Sequence, residues 1–460
     1  MTKQTQNNPV KEIIQIDSEI LENISHLIQT HAEKSILNIF ADLHPADIGE
    51  IINHLRFEDA VYLFKLLNTE IAGEVITEID DNLRERLLKE IDEDKLTDIV
   101  DELDTDDATD ILSELPEDIA EHVLENIDKE DSEDVKELLK YEEDSAGGIM
   151  TSDFVYVTDS ATIKNAIDEV RLNSEKYEQI YYLYVLTKDD ELLGTVSLKS
   201  LLVNPLSSNI TTVMDKDLIY VTPDMDQEEV AKLIEKYDLV SIPVVDSNKK
   251  MLGRITIDDI VDVIHEEASE DIQKFAGLSE EQERSDSIFR ISRIRLPWLI
   301  IALIMEIIAA ILLESYQDFI SKFIIVTFFI PVVMAMGGSS GTQAAIVMVR
   351  NLSSSDIWLR NSIQKLTKEF FVSLLNGIVC SSVLLLASIL FFPVDFPMAL
   401  LLSGALMTII VFATIVGAGI PLFLSKIGVD PAIATGPFVT TTNDILGLLI
   451  YLTFVTSYLL

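Results

Sequence analysis

Five long apolar segments in the second half of this chain constrain its fold more than any other feature. A helix needs about 20 mostly apolar residues to cross the hydrocarbon core of a bilayer. Runs of that kind predict five membrane-spanning helices, near residues 296–314, 319–337, 370–392, 398–424 and 438–460. Glu306 lies inside the first run and leaves the edges of that span open. The expected class is a multi-pass membrane protein with the lipid bilayer as a partner.

Charge is distributed very unevenly along the chain. Of its 34 basic and 78 acidic residues, only 9 basic and 8 acidic ones follow residue 287. The first 287 residues therefore form a strongly acidic soluble region. Such charge argues against nucleic acid and anionic lipid as partners and favours cations. Because scattered acids can also serve solubility alone, the positions at which they cluster carry the argument.

The basic residues around the apolar runs predict the orientation in the membrane. They concentrate in the connections on the same side of the membrane as the N-terminal region. Because basic connections face the cytosol, we expect a protein of the cell membrane with its N-terminal domains in the cytosol and its C-terminus outside. The first residues contain no apolar core of the signal-peptide kind. The single cysteine, Cys380, cannot form an internal disulfide and fits a reducing compartment. The basic residues that set the orientation are Arg290, Arg293, Arg295, Arg350, Arg360, Lys365, Lys368 and Lys426.

Asp444 lies in the fifth apolar run with no basic residue nearby. A lone carboxylate at membrane depth is costly and usually marks an ion path, although a structural buried acid is the alternative. Residues 331–341, with one proline and three glycines, and residues 428–437, with two prolines, predict breaks in the second and fifth spans. At membrane depth, irregular backbone is tolerated only where it is packed inside the protein or lines a water-filled cavity. Both breaks are therefore expected to line one pore. For the glycines, tight helix packing is the alternative.

Residues 150–204 and 214–265 repeat one pattern of strand, amphipathic helix, two apolar strands and closing helix. This pattern resembles a CBS domain, and the two copies resemble a CBS pair that packs together. Many such pairs bind adenosine nucleotides, with a hydroxyl and an acid three residues apart after the last strand. Thr256 and Asp259 match that spacing, whereas Ser197 and Ser200 lack the acid. One site for a nucleotide such as ATP is the most that this pattern predicts, and a structural role alone is the alternative.

The residues on either side of the CBS pair are predicted to be helical. Residues 12–145 show only helical periodicity in short recurring segments, which predicts stacked helices in a superhelical domain. Acids at the starts of these helices are expected to cap them and to oppose the helix dipole. After the pair, Glu267, Glu270 and Asp271 fall on one helix face, where like charges repel. Some neutralising group is expected there, and a solvated face is the alternative.

Four motifs together resemble the MgtE family of magnesium channels. They are YEEDSAGGIMT (141–151), EEASEDIQKFAGL (266–278), GGSSGTQAAIVMVRNL (337–352) and GVDPAIATGPFVTTTNDILGLLIY (428–451). The resemblance implies a homodimer with a pore on its axis and no enzymatic activity. It also implies a multidomain membrane protein with an acidic α-superhelical domain (1–145), tandem CBS domains (146–265), a connecting helix (266–290) and a transmembrane domain of five helices (291–460).

The same resemblance implies the residues that handle the ion. The pore acid falls on Asp444, with the backbone near Thr440 beside it. Two such carboxylates, one from each subunit, suit a largely hydrated Mg²⁺, which sheds water reluctantly. Cytosolic Mg²⁺ is expected to bridge acidic faces of different domains and so close the channel. The residues that match regulatory positions are Glu74, Asp106, Asp110, Asp226, Glu228, Asp238, Asp259, Asp262, Glu267, Glu270, Asp271 and, more weakly, Asp318.

Two departures from the family pattern and three other functions bear on this hypothesis. The family commonly has asparagine at the position of Ser339 and sometimes at that of Gly436, so the ion preference stays open. A transporter or exporter of another divalent metal, such as Co²⁺ or Mn²⁺, is the first alternative. A membrane-tethered nucleotide sensor is the second. An enzyme is disfavoured because no nucleophile, base and orienting group form an array. No P-loop is present, which agrees with transport driven by the electrochemical gradient.

Overall fold

The structure is a computed structural model that describes residues 16, 18–174, 176–177, 179–275, 288–353, 359–434 and 437–459. It divides into two compact units, Met1–Glu266 and Glu267–Leu460.

The first half of the N-terminal unit is a stack of short helices. Helices α3, α5, α7 and α9 pack one on the next, and α4 packs on α6 and α8 on α10. This arrangement of two rows confirms the predicted superhelical domain. The helices are α1 (Ser18–Gln29), α2 (Glu33–Phe40), α3 (Pro45–Asn53), α4 (Phe57–Leu66), α5 (Thr69–Ile76), α6 (Asp81–Leu88), α7 (Glu93–Val100), α8 (Thr105–Ser113), α9 (Glu117–Asn126) and α10 (Lys129–Leu138).

Each of these helices is held by an apolar stripe, because residues three and four apart share one face. In α7, for example, Leu96, Ile99 and Val100 are buried in the common core. The expected capping by acids is wrong at three helices, since Asp80 before α6, Asp92 before α7 and Asp104 before α8 make no side-chain capping bond. Acids in the first turns still oppose the helix dipole without such a bond.

The CBS pair completes this unit, and its two copies share a core. Strand β1 pairs in parallel with β2, and β2 pairs antiparallel with β3, while β4 and β5 form an antiparallel pair. Residues from both copies, including Tyr184 and Leu192 of the first and Val245 and Met251 of the second, form one cluster. The elements are β1 (Tyr156–Thr158), α11 (Ile163–Leu172), β2 (Tyr182–Leu186), β3 (Leu192–Ser197), α12 (Leu198–Val203), a 3₁₀ helix (Ile210–Thr212), α13 (Gln227–Tyr237), β4 (Ser241–Val245), β5 (Met251–Thr256) and α14 (Ile257–Phe275).

The second copy departs from the predicted pattern at its first strand. Only an isolated parallel bridge between Val221 and Val244 forms there. Pro223 follows two residues later, has no N–H to donate, and ends the pairing. The predicted connecting helix 266–290 is helical up to Phe275, where α14 ends, and its residues 276–287 lie outside the described part of the chain.

The second unit consists of long apolar helices. Five of them, within the described residues, are long and apolar enough to cross a membrane, which confirms the predicted number: Ile288–Ser315, Ile324–Leu352, Ile363–Phe391, Phe396–Lys426 and Phe438–Ser457. The elements are α15 (Ile288–Ser315), α16 (Gln317–Lys322), a 3₁₀ helix (Ile324–Phe329), α17 (Ile330–Ser353), α18 (Leu359–Phe391), α19 (Phe396–Lys426), a 3₁₀ helix (Pro431–Ala434) and α20 (Pro437–Leu459).

The prediction of a break in the second span is wrong. Helix α17 is continuous through Gly337, Gly338 and Gly341, and the span runs from residue 324 to 352 rather than from 319 to 337. The glycines instead let α19 and α20 approach the bare backbone of α17, which was the alternative reading of them. The predicted irregular entry to the fifth span is present over residues 428–434. Thr435 and Gly436 lie outside the described residues.

Candidate functional site

A polar face on α20 lies against α17 inside the second unit. Thr440 and Asp444 are four residues apart and therefore share one side of α20. The hydroxyl oxygens of Thr440 and Thr342 on α17 are 3.3 Å apart. A methyl group added at Gly338 would lie 3.7 Å from Asp444 Oδ1, so the carboxylate faces bare α17 backbone. The two predicted pore residues thus lie together, beside threonine hydroxyls and helix backbone.

Glu306 is a functional candidate that the sequence analysis did not identify. It lies on α15, which packs on α20, and its carboxyl group lies within hydrogen-bonding range of the Asp444 carboxyl. Asp444 therefore has a second acid beside it within one subunit. The signal that could have found it is the rule that singled out Asp444, since an acid inside an apolar span marks function.

Lys274 joins the connecting part of α14 to the loop before α20. Its ammonium group donates to Glu270 Oε1 at 2.6 Å and to Asp430 Oδ2 at 2.7 Å. Asp430 Oδ1 accepts the backbone N–H of Ala432 at 2.8 Å, which fixes the start of the 3₁₀ turn. Burial alone would lower the pKa of Lys274, but the bonds to Asp430 and Glu270 outweigh it and raise that pKa.

The ion pairs of Lys274 change the interpretation of the acidic face on α14. Glu267, Glu270 and Asp271 keep the predicted spacing within this continuous helix. For Glu270, a lysine of the same helix supplies a neutralising charge. Neither Lys274 nor Asp430 was identified from the sequence, because the two are 156 positions apart in the chain.

A second acidic site is a cavity of about 410 Å³ in the first unit, where α8 faces α14. Nine carboxylate side chains line it, against one guanidinium group, that of Arg84, and one imidazole. Four predicted residues meet there: Asp106 and Asp110 on α8, and Asp259 and Asp262 on α14. The acids that the sequence analysis did not assign to it are Glu78, Asp80, Asp81, Asp107 and Glu266.

Crowding and burial change the proton affinity of these acids. Burial, reinforced by neighbouring carboxylates, raises the pKa of Asp107 and of Asp110 to about 7 and that of Asp259 to about 6. The same causes raise the pKa of Asp106 well above its ordinary value. Arg84 opposes this effect at Asp107 and Asp110, but its own side chain is held by Glu114 at 2.6 Å and Asp81 at 2.9 Å. The cavity thus holds far more acidic than basic groups, and its buried acids bind protons more tightly than free aspartate does.

The first turn of α8 is held in place by the segment that precedes β1. The N–H of Thr105 donates to Asp153 Oδ2 at 3.1 Å, and the Thr105 and Thr151 hydroxyl oxygens are 3.1 Å apart. Ser152 N–H donates to Thr105 Oγ1 at 3.0 Å. Thr105, Thr151 and Asp153 are buried. This network fixes the helix that carries Asp106 and Asp110 against the CBS pair.

The cavity suits a hydrated cation better than a bare one. Asp106 Oδ1 is buried and has no hydrogen-bond partner among the described residues, so a cation or its water would satisfy it. Yet within the described ranges no group of three or more His, Cys, Asp and Glu side chains converges on one point in the way that a closed metal site requires. Mg²⁺ is commonly held by one or two carboxylates and several waters, which this arrangement can supply.

Other predicted regulatory residues are not among those that line the cavity. Glu74 is exposed on α5. Asp226 caps the start of α13, where Glu228 pairs with Lys232 at 2.9 Å, while exposed Asp238 follows the other end of that helix. Eleven residues of helix separate the two ends by about 16 Å, too far for one ion within one chain. Exposed Asp318 lies in the first turn of α16.

The nucleotide pattern in the second CBS copy is engaged in local bonds. Asp259 Oδ2 accepts from the Thr256 hydroxyl at 2.7 Å and from the Thr256 N–H at 3.1 Å. In the first copy, Ser197 Oγ accepts the N–H of Ser200 at 3.2 Å. Both pairs therefore cap the start of a closing helix, and Asp259 also lines the acidic cavity.

Three family models match successive parts of the chain. An MgtE intracellular N domain matches residues 43–144, CBS domains match 146–206 and 210–266, and a divalent cation transporter domain matches 330–454. Together with the five spans, these matches define a multi-pass membrane protein whose spanning part is of the divalent cation transporter type.

The relatives make the assignment more specific. A protein of Bacillus subtilis (strain 168) named magnesium transporter MgtE is 35% identical over 322 residues, which cover 70% of this chain and 71% of the relative. The protein of the same name from Thermus thermophilus is 35% identical over 320 residues, 68% and 70% of the two chains. The chain therefore belongs to the MgtE family, as the sequence motifs predict.

A solved structure supports the fold of the soluble region. It is described as the cytosolic domain of the Mg²⁺ channel MgtE in complex with ATP. It matches with a TM-score of 0.50 and 30% sequence identity, and the match covers 53% of this chain and 99% of that structure.

Proposed function

We propose that this protein is a Mg²⁺ channel that admits Mg²⁺ down its electrochemical gradient. The observation that carries the proposal is the face formed by Thr440, Asp444 and Thr342 between apolar spanning helices. A divalent cation gains about 4.6 kcal/mol per 100 mV on entry, since each charge gains about 2.3 kcal/mol. The relatives named magnesium transporters favour Mg²⁺ as the ion.

The proposed pore requires a homodimer, as the family resemblance implies. Two subunits would bring two copies of Asp444 to one axis, and Glu306 would add a carboxyl group beside each. Carboxylates combined with threonine hydroxyls favour hard cations with oxygen ligands, which include Mg²⁺, Mn²⁺ and Ca²⁺. The hydrated Mg²⁺ ion suits a site with few protein ligands and room for water.

Closure by cytosolic Mg²⁺ is the second part of the proposal. Without Mg²⁺, the carboxylates of the cavity repel one another over distances well inside the Debye length of about 8 Å. Mg²⁺ would bind in the cavity between α8 and α14 and remove that repulsion, with Asp106 and Asp259 as its nearest ligands. A ligand shifts an equilibrium between two states only if it binds one of them more tightly. In this proposal only the closed state brings the acids of α8 and α14 together, so Mg²⁺ favours that state.

Ion flux into liposomes tests the transport proposal. Purified wild-type protein should carry Mg²⁺, and Asp444→Asn should remove most of that flux. Glu314→Gln, which neutralises an exposed acid in the last turn of α15, is the matched control and should conduct normally. If saturating Mg²⁺ leaves Co²⁺ or Mn²⁺ transport unchanged, the protein is a transporter of another metal and the Mg²⁺ proposal is wrong.

ATP is proposed as a ligand of the CBS pair, on the strength of the matching cytosolic domain in complex with ATP. Calorimetric titration of the full chain with ATP tests this, with Thr256→Val as the variant that removes the hydroxyl. Unchanged binding in that variant would show that Thr256 is only a helix cap.

A further inference from the structure

Three spanning helices meet at one crowded point beside the polar face of α20. Asn443 of α20 lies on the bare backbone of Gly341 in α17, and Gly341 in turn lies against Gly417 of α19. A methyl group added at Gly341 would be 1.8 Å from Asn443 Nδ2 and 3.2 Å from the carbonyl oxygen of Ala413. One added at Gly417 would be 2.2 Å from the carbonyl oxygen of Gly341. No side chain larger than hydrogen fits at either glycine without a shift.

Hydrogen bonding does not explain why Asn443 lies in this place. Its side chain is 2% exposed, and neither Oδ1 nor Nδ2 has a hydrogen-bond partner among the described residues. Leaving a buried amide unsatisfied costs free energy, whereas an apolar group of similar shape would avoid that cost. The interaction that remains is the steric contact of the amide with Gly341, which fixes how closely α20 approaches α17.

The neighbour of Asn443 in the chain is Asp444. Successive residues on a helix point about 100° apart, because a turn has 3.6 residues. When Asn443 is seated on Gly341, the same rotation of α20 directs Asp444 towards Gly338. We propose that Asn443 is a positioning residue, whose seat on Gly341 and Gly417 sets the depth and rotation at which α20 presents Asp444 to the ion. This inference rests on the proposed role of Asp444 in conducting Mg²⁺.

Compensating changes in size test the proposal. Gly341→Ala should lower Mg²⁺ flux about tenfold or more, since small misplacements of a binding group have large effects. Asn443→Ala alone should raise the half-saturating Mg²⁺ concentration, because α20 is then free to shift. The double variant Gly341→Ala/Asn443→Ala should recover most of the flux, since the new methyl occupies the space of the lost amide. Gly419→Ala on α19, where an added methyl meets nothing within 4 Å, is the matched control.

Each variant is measured for flux per folded protein, across Mg²⁺ concentrations, and for thermal stability in detergent. If the half-saturating concentration is the same in Asn443→Ala and the wild type, Asn443 only packs the bundle and the proposal is overturned. If Gly341→Ala does not fold, the half-saturating Mg²⁺ concentration of Asn443→Ala alone still tests the proposal. Absence of Mg²⁺ flux in the wild type overturns the channel function and this inference together, whereas normal wild-type flux with unaltered variants overturns the inference alone.

Discussion

Glu306 and Asp444 place two carboxyl groups side by side among apolar helices. Ionised side chains at membrane depth carry a large free-energy cost, so a pair without a bound cation is unfavourable. The pair therefore gains most from a divalent ion that neutralises both charges. In this account Glu306 strengthens the attraction that Asp444 exerts on Mg²⁺.

Replacing Glu306 by Gln should weaken that attraction while keeping the size of the side chain. We expect the half-saturating Mg²⁺ concentration for flux to rise about tenfold, which corresponds to about 1.4 kcal/mol of lost binding. Liposome flux across Mg²⁺ concentrations measures it, with Glu314→Gln as the control. An unaltered concentration dependence in Glu306→Gln would mean that Glu306 has no contact with the conducted ion.

The acids of the cavity predict a pH dependence with a definite sign. Their pKa values, about 7 for Asp107 and Asp110 and about 6 for Asp259, lie above that of free aspartate, near 4. Bound protons therefore stabilise the closed cavity fully below about pH 4, and this stabilisation is lost as the pH rises through 6 to 7. Mg²⁺ competes with these protons, so its affinity should increase over the same range.

Thermal unfolding of the full chain tests this dependence. Saturating Mg²⁺ should raise the Tm more at pH 8 than at pH 5.5, and Asp259→Asn should reduce the difference. Glu121→Gln, which changes an exposed acid of α9 outside the cavity, should behave like the wild type. An equal Mg²⁺ effect at both pH values would contradict a role for the cavity acids in binding.

A residue of the candidate sites could be predicted from the sequence where a local rule identifies it. It could not be predicted where its role depends on a partner far away in the chain. Asp444 follows from the cost of a charge in an apolar run, and Asp106 and Asp259 follow from the resemblance to the family. Lys274 and Asp430 follow from neither, because their ion pair joins positions far apart in the chain. The rule that singles out Asp444 applies to Glu306 as well, although in the sequence Glu306 bears first on the edges of its span.

At the scale of elements, the periodic segments were predicted well and the glycine-rich ones were not. Apolar residues three and four apart gave the helices of the N-terminal domain, and alternation and turns gave the CBS strands. The proline and glycines of residues 331–341 predict a break, since both residue types disfavour helices in isolation. In the structure, packing of α19 and α20 on the exposed backbone of α17 outweighs that preference.

The junction between α14 and the loop before α20 predicts the behaviour of a charge swap. Lys274→Asp would place three carboxylates together and should separate the two elements, which weakens closure by cytosolic Mg²⁺. Lys274→Asp/Asp430→Lys should restore it, because the ion pair re-forms with its charges exchanged. Recordings of Mg²⁺ inhibition of the channel current measure both variants. If the double variant is as insensitive to Mg²⁺ as the single one, the pair does not take part in closure.

At the scale of the whole molecule, the chain has two chemically distinct halves, and the proposed function has both of them bind the same ion. The first 287 residues hold the excess negative charge of the chain. Nine of their carboxylate side chains line one cavity, where the basic groups are too few to neutralise them. The spanning half is nearly neutral and concentrates its acids at a few positions, Asp444 among them. Composition predicted this division. The place where the acids converge could not be predicted from composition, because it depends on how α8 packs against α14.

We propose that Asp444 binds Mg²⁺ as it passes through the pore, and that binding of cytosolic Mg²⁺ in the cavity closes the channel. Patch recordings with controlled Mg²⁺ on the cytosolic side test both parts at once. The wild-type current should fall as cytosolic Mg²⁺ increases, Asp106→Asn/Asp259→Asn should keep conducting at high Mg²⁺, and Asp444→Asn should carry little current at any concentration. A current that is independent of cytosolic Mg²⁺ in the wild type, or undiminished in Asp444→Asn, would contradict the account.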